Sequence, residues 1–314
     1  MKKMFTKRKL LGRTGNDGLI FKIVLYILFI GISFIFLYPI LQMTVTSFMP
    51  LVDLIDPTTI WIPKNFTFEN YLRAINALKF WRSLKDSFIV SIIPTIFVVF
   101  SSAFIGYGFA SFDFPFKKTL MVVLLAIFLI PNILMSIPTY VIYRRLNLIS
   151  SLKTYIYPAL LGFGIRQTIF ILIFYQFFKM IPEELKEAAE MDGAHAFKIF
   201  THVAIPMSMP AFLITSLYSF VWYWNETSLP LKYFQKNDGT FSFTTLPMAV
   251  RDFVRVYREL YPTGTVGLEG ASETFNQGVQ FAGTMLSILP LLIVFFIAQK
   301  WFIESVDRSG IAGS

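Results

Sequence analysis

The 314-residue chain has no cysteine, which removes disulfides, thiolate metal sites and iron–sulfur clusters from consideration. Histidine is nearly absent as well. The only two, His195 and His202, stand seven positions apart. On one helix that is about 10.5 Å along the axis, too far for a shared metal ion, so polar surface or tertiary packing suits both. Charge is scarce, at 15% of residues against the roughly one quarter found in soluble domains. No Gly-Lys pair occurs anywhere, so no phosphate-cradling P-loop can form. Neither Gly-x-Gly-x-x-Gly nor Gly-x-Ser-x-Gly is present. The chain therefore does not consume ATP itself, and energy for any uphill transport comes from a partner or an ion gradient.

What fills the sequence is hydrocarbon. Hydrophobic residues make up 55% of it and the mean hydropathy is +0.61, which places it in a membrane. Six stretches are long enough to cross a ~30 Å hydrocarbon core as helices: Ile23–Val45, Phe88–Phe109, Leu120–Tyr143, Tyr157–Phe178, Ala211–Leu229 and Phe281–Phe302. The first is too long for a secretory signal and is followed by no small-residue cleavage site. Residues 1–22 hold Lys2, Lys3, Lys7, Arg8, Lys9, Arg13 and Lys22 against Asp17, which is +6 of the formal +9. A basic cluster directly before a hydrophobic span sets topology at an anionic inner leaflet rather than gripping phosphates, so no nucleic acid partner is expected.

Over all loops Lys and Arg divide almost evenly, so the orientation rests on this leader. The expected fold is an all-α membrane protein with six transmembrane helices and both N- and C-termini cytoplasmic. Residues 1–22 are a cytoplasmic leader, 23–302 the membrane domain and 303–314 a cytoplasmic tail. Residues 46–87, 144–156 and the long 230–280 loop lie outside, and 110–119 and 181–210 inside.

Several features within this frame bear on function. Ser102, Gly106 and Ala110 form a small-xxx-small row that lets helices approach closely, within this subunit or against a second one. Pro131, Pro138 and Pro290 predict kinks. In the outer loop, Val250, Phe253, Val254, Tyr257 and Leu260 fall on one helical face opposite Arg251, Asp252, Arg255, Arg258 and Glu259. Such a helix rests on headgroups or touches an external partner. Polar groups at membrane depth are candidates for a solute pathway: Asn132, Arg166, Gln167, Asn225 and Glu226. The last two follow Trp222, Tyr223 and Trp224, and aromatic faces beside amides and charges suit sugar rings.

The polar island Ile181–Pro210, IPEELKEAAEMDGAHAFKIFTHVAIPMSMP, lies between two greasy spans. Pro182 suits a first helical position, and Glu183 and Glu184 complement the helix dipole. Ala188 and Ala189 offer a face that a partner can approach, and Gly193 lets the backbone turn out. From Pro182 to Asp192 is about 16 Å of helix, a peg rather than a span. On these residues alone an ATP-driven permease, an ion-coupled secondary transporter and a membrane scaffold all remain open.

The spacing Glu187-Ala188-Ala189, Gly193, then Val203-x-Ile205-Pro206 resembles the EAA loop of binding-protein-dependent ABC importer permeases. Asn65-Phe66-Thr67 with Asn70-Tyr71, Ile130-Pro131, Ile137-Pro138-Thr139-Tyr140, and Trp224-Asn225 with Leu229-Pro230-Leu231 resemble the carbohydrate branch, in particular its maltose-permease-G-like subunit. The similarity covers roughly residues 20–313. The family's usual lysine-bearing tail is replaced here by Ser309-Gly310-Ile311-Ala312-Gly313-Ser314.

The resemblance implies a multi-pass subunit of a prokaryotic cytoplasmic membrane, importing a sugar or oligosaccharide, or alternatively a non-sugar solute. It implies a second permease subunit, two cytoplasmic ATPase subunits carrying the ATP and Mg, and an extracytoplasmic solute-binding protein. It places ATPase coupling on Glu183, Glu187, Ala188, Ala189, Asp192 and Gly193. ATP-driven closure of the ATPases would swing the pegs and switch the path from inward- to outward-facing. Trp224 joins the five polar residues above as a candidate of the pathway.

Overall fold

The computed structural model describes residues 18–262 and 275–310; residues 1–17, 263–274 and 311–314 lie outside these. The described chain is helical, with one isolated bridge, Gln235 with Phe241, and no strand. The principal helices are α1 (Leu19–Ser47), α2 (Phe80–Ser111), α3 (Lys117–Leu129), α4 (Asn132–Arg145), α5 (Lys153–Leu160), α6 (Gln167–Lys179), α7 (Glu183–Met191), α8 (Met209–Asn225) and α9 (Gln277–Gly310). Two compact units form, one from Met1–Ala74 with Tyr257–Met285 and one from Ile75–Val256 with Leu286–Ser314.

In the first unit, α1 runs 29 residues, about 43 Å, longer than a hydrocarbon core is thick. Its apolar surface is bare: Phe36, Ile35 and Ile30 are 75%, 70% and 69% exposed. An uninterrupted apolar surface of that length needs lipid or another protein around it.

Beyond α1 the chain is stitched by the polar residues of the 65–71 segment. Buried Asp53 accepts from the Asn65 backbone N–H at 2.8 Å and from Asn65 Nδ2 at 2.9 Å. Phe66 stacks on Phe48 with centroids 4.5 Å apart, and the Thr67 N–H donates to the Phe48 carbonyl at 3.0 Å. Asn70 Nδ2 donates to the Ser47 and Met49 carbonyls at 3.0 and 2.8 Å, satisfying groups that the end of α1 leaves open.

The core of the second unit is α2 packed on α6 and α8. Buried residues of α2 recur three and four apart, as Val90, Ser91, Pro94, Thr95, Val98, Val99, Ser102, Ala103, Gly106 and Tyr107, which is one helical face. Ser91, Thr95 and Ser102 give that face hydroxyls as well as hydrocarbon. The small-xxx-small row closes on α6: a Cβ added at Gly106 would lie 2.7 Å from Phe174 Cβ and 2.9 Å from the Tyr175 backbone nitrogen. Of its two possible uses, packing within this subunit is the one seen at Gly106.

The six expected crossings do not all appear as single helices. Three described helices are long and apolar enough alone: α1, α2 and Gln277–Trp301 of α9. Two more count if each bent pair is one span, α3 with α4 (104°) and Ala196–Met207 with α8 (77°). The expected helix Tyr157–Phe178 is broken: α5 ends at Leu160 and α6 begins only at Gln167. The expected span from Ala211 begins earlier, at Met209, and stops at Asn225, where Glu226 turns extended.

The segment expected to form an amphipathic helix in the 230–280 loop also differs from expectation. It forms two short helices, Leu246–Arg251 and Phe253–Leu260, rather than one. Leu246, Met248, Ala249 and Phe253 are buried in the second unit and Tyr257 in the first, so this apolar face meets protein instead of headgroups; Leu260 remains exposed. The backbone N–H groups of Thr244 and Leu246 donate to Asp86 and to Ser87 Oγ at 3.0 and 2.7 Å, pinning the segment to the start of α2.

Candidate functional site

The polar island becomes a short exposed helix held between two buried anchors. Before it, Phe178 and Ile181 sink into the core; after it, Ile199 and Phe200 do the same. Tyr107 of α2 gathers these anchors, its ring 5.4 Å from Phe178 and 4.8 Å from Phe200. Packed rings therefore tie both ends of the helix to α2 and α6.

Between the anchors α7 spans nine residues, with Pro182 as its N-cap rather than its first helical residue. Glu183 and Glu184 occupy the first turn, where the dipole favours them. The helix ends in a Schellman motif: Ala194 N–H donates to the Ala189 carbonyl and Gly193 N–H to the Glu190 carbonyl, both at 2.9 Å. Gly193 supplies the left-handed residue that this stop requires, at φ +76°. His195 Nδ1 then accepts from the Lys198 N–H at 3.3 Å, capping the next turn.

Glu183, Glu187, Ala188, Asp192 and Gly193 are exposed, and Ala189 is half-buried. Beside them Leu185, Phe197 and Met191 are 44%, 62% and 89% exposed. Acidic groups thus surround exposed apolar side chains on this helix and on the turn Ala196–Ile199 that follows it. The motif itself does not mark these apolar members; their spacing beside the alanines is the available signal.

The Val203-x-Ile205-Pro206 stretch shapes the exit. Phe200–Ala204 is a π-turn, and the chain bends 77° between Ala196–Met207 and α8. Pro206 and Pro210 have no N–H to continue the helical ladder across the bend at Ser208.

The expected pathway residues scatter. The side chain of Asn132 lies outside the described residues. Gln167 is 1% exposed and fully engaged: Nε2 donates to Ser101 Oγ at 2.6 Å and to the Ala159 carbonyl at 2.8 Å, while Oε1 accepts from Gly164 N–H at 2.6 Å. It holds together the break before α6, where Gly162 and Arg166 both have positive φ. Trp224 is 1% exposed, its ring 5.2 Å from Phe88 and 5.6 Å from Phe220. Asn225 Nδ2 donates back to the Val221 carbonyl at 3.0 Å. Glu226 Oε1 accepts from the N–H groups of Ser228 and Leu229 at 2.7 and 3.1 Å.

Arg166 and Glu226 are brought together at the wall of one cavity of 370 Å³. Arg166 also borders a larger, mostly apolar groove of 990 Å³ between α3–α4 and the α5–α6 break, and its guanidinium sits 5.0 Å from the Trp222 ring centroid. Lys232, which no sequence pattern marks, donates to the Ser136 carbonyl of α4 at 2.6 Å and to its hydroxyl.

Known proteins resemble this chain along nearly its whole length. The arabinooligosaccharides transport system permease protein AraQ of Bacillus subtilis (strain 168) is 26% identical over 301 residues, covering 94% of this chain and 97% of AraQ. The diacetylchitobiose uptake system permease protein DasC of Streptomyces coelicolor is 26% identical over 308 residues, covering 98% of this chain and 100% of DasC. The crystal structure of a bacterial ABC transporter involved in the import of the acidic polysaccharide alginate has a chain of similar fold, with a TM-score of 0.66 at 21% identity over 90% of this chain and 96% of that one. The family described as binding-protein-dependent transport system inner membrane component matches residues 102–308. The chain belongs to that family.

Proposed function

We propose that this chain is a permease subunit of an ATP-driven importer for a sugar or oligosaccharide, forming half of a translocation path with a second permease subunit. It crosses a prokaryotic cytoplasmic (inner) membrane six times with both termini inside, the broken pair α5 and α6 completing one crossing. Two cytoplasmic ATPase subunits carry the ATP and Mg, and a solute-binding protein delivers cargo from outside. Supporting the sugar assignment are the saccharide cargoes named for relatives such as AraQ and DasC.

The observation that carries the proposal is the exposed helix Glu183–Met191 clamped between Ile181 and Phe200. Glu183, Glu187, Ala188, Ala189, Asp192 and Gly193 form the ATPase contact, and movement of the ATPases reaches the spans through the Tyr107, Phe178 and Phe200 rings. Of the pathway candidates, Arg166 and Glu226 are the two that border a common cavity.

The test is purification of the full chain in mild detergent, identification of co-purifying subunits, and ATPase and uptake assays with and without Glu187→Lys. Recovery of a second permease and an ATPase, with uptake lost in the variant while membrane insertion persists, is expected. A chain that takes up solute alone, driven by an ion gradient and indifferent to Glu187→Lys, would overturn the proposal.

A further inference from the structure

The 370 Å³ cavity carries chemistry beyond its two charged groups. Tyr143, Tyr155, Tyr223 and Tyr233 line it together with Arg166 and Glu226. Its size falls within the roughly 300–1,000 Å³ of small-molecule sites. The rings are fixed by one another: Tyr155 lies 5.2 Å from Tyr223 and Tyr143 lies 5.2 Å from Tyr233. The Tyr223 hydroxyl accepts from the Ile165 N–H at 3.3 Å.

Tyr155, by contrast, is 3% exposed and its hydroxyl has no hydrogen-bond partner among the described residues. A buried hydroxyl left unpaired is destabilising, so a partner arriving in the cavity is favoured there. Among the described residues the Arg166 guanidinium has a ring contact but no hydrogen bond. The second carboxylate oxygen of Glu226 is also unengaged among them, since only Oε1 accepts. The wall thus offers aromatic faces, donors and an acceptor, with one charged group of each sign on it and Lys232 held behind it on Ser136.

We infer that this cavity holds one uncharged saccharide unit during transport, a ring with apolar C–H faces for tyrosines and hydroxyls for Arg166, Glu226 and Tyr155. The inference rests on the importer reading above. The cavity adjoins the start of α6 and the docking helix follows its end, so the two are separated by about 20 Å of helix. On the proposed topology that places the cavity at the outer end, where the binding protein delivers.

Because the chain has no cysteine, an introduced one is its single labelling site, read on this subunit's own band after the subunits are separated by electrophoresis. Thr139, another wall residue, is changed to Cys in the complete transporter reconstituted in nanodiscs. Labelling rate is measured there, and uptake in proteoliposomes, with arabinotriose, maltotriose, diacetylchitobiose and trehalose as probes. The transported saccharide should slow labelling about tenfold at ten times its half-saturating concentration. Adding Tyr155→Phe should weaken that protection about threefold to tenfold. A saccharide that is taken up without protecting the cysteine would overturn the cavity assignment alone. Uptake of none of the four would overturn the saccharide reading beneath it.

Discussion

Gly106 offers a test of the helix packing in which two neighbouring glycines should answer with opposite signs. In Gly106→Ala the new methyl would meet Phe174 Cβ at 2.7 Å, Tyr175 N at 2.9 Å and the Ile171 carbonyl at 3.0 Å. Two of these are backbone atoms and the third cannot rotate away, so α2 and α6 must separate. Overpacking of this kind costs about 1–3 kcal/mol, against a helix-propensity gain of up to ~1 kcal/mol. Set against the full propensity gain, the net loss is up to about 2 kcal/mol, a fall of as much as roughly 8 °C in Tm at 2–4 °C per kcal/mol. Gly108→Ala, two residues away, meets nothing within 4 Å. It should therefore collect only the propensity gain, about 0.5–1 kcal/mol, and raise Tm by a few degrees. Thermal unfolding of both variants in the same detergent, followed by tryptophan fluorescence, reads the pair. Equal shifts of the same sign would refute the packing argument.

Two further perturbations probe the other parts of the molecule. Gly193→Ala has room for its methyl but must hold φ near +76°, at a cost of about 1–2 kcal/mol; Gly193→Asn should recover most of the lost stimulation of ATPase by solute, and equal failure of both would exclude the backbone explanation. In the first unit, the Asn65 N–H holds the Asp53 carboxyl below its ordinary value of 3.8. A folded value below the unfolded one means this stabilisation is complete above about pH 4 and is lost as pH falls through the folded value. Limited proteolysis between residues 48 and 70 should thus accelerate in acid, and Asp53→Asn should flatten that dependence while raising cleavage at neutral pH.

The exposed helix Glu183–Met191 is legible in local sequence because local rules govern it: acidic residues at the start, alanines along it, and a glycine where only a left-handed residue can stop it. Residues 65–71 are legible as a pattern but not as chemistry. That Asn70 serves the carbonyls at the end of α1, 23 and 21 positions earlier, follows only from the folded chain. The expected fourth crossing, Tyr157–Phe178, reads as continuous because its residues are mostly apolar. Gly162 and Gly164 are the available warning, and Gln167, a pathway group by sequence, is spent holding the break.

Sequence by itself determined the medium and the element type: an apolar chain this poor in charge must satisfy its backbone within helices, and its polar island must stand in water. Only the tertiary structure decided which polar side chains are occupied and which are available. Gln167 and Glu226 look alike in a hydrophobic sequence, yet one is consumed by three internal hydrogen bonds while the other keeps an oxygen beside a cavity. Hydrogen-bond satisfaction is a property of neighbours brought together from distant positions, and those neighbours exist only once the helices have packed.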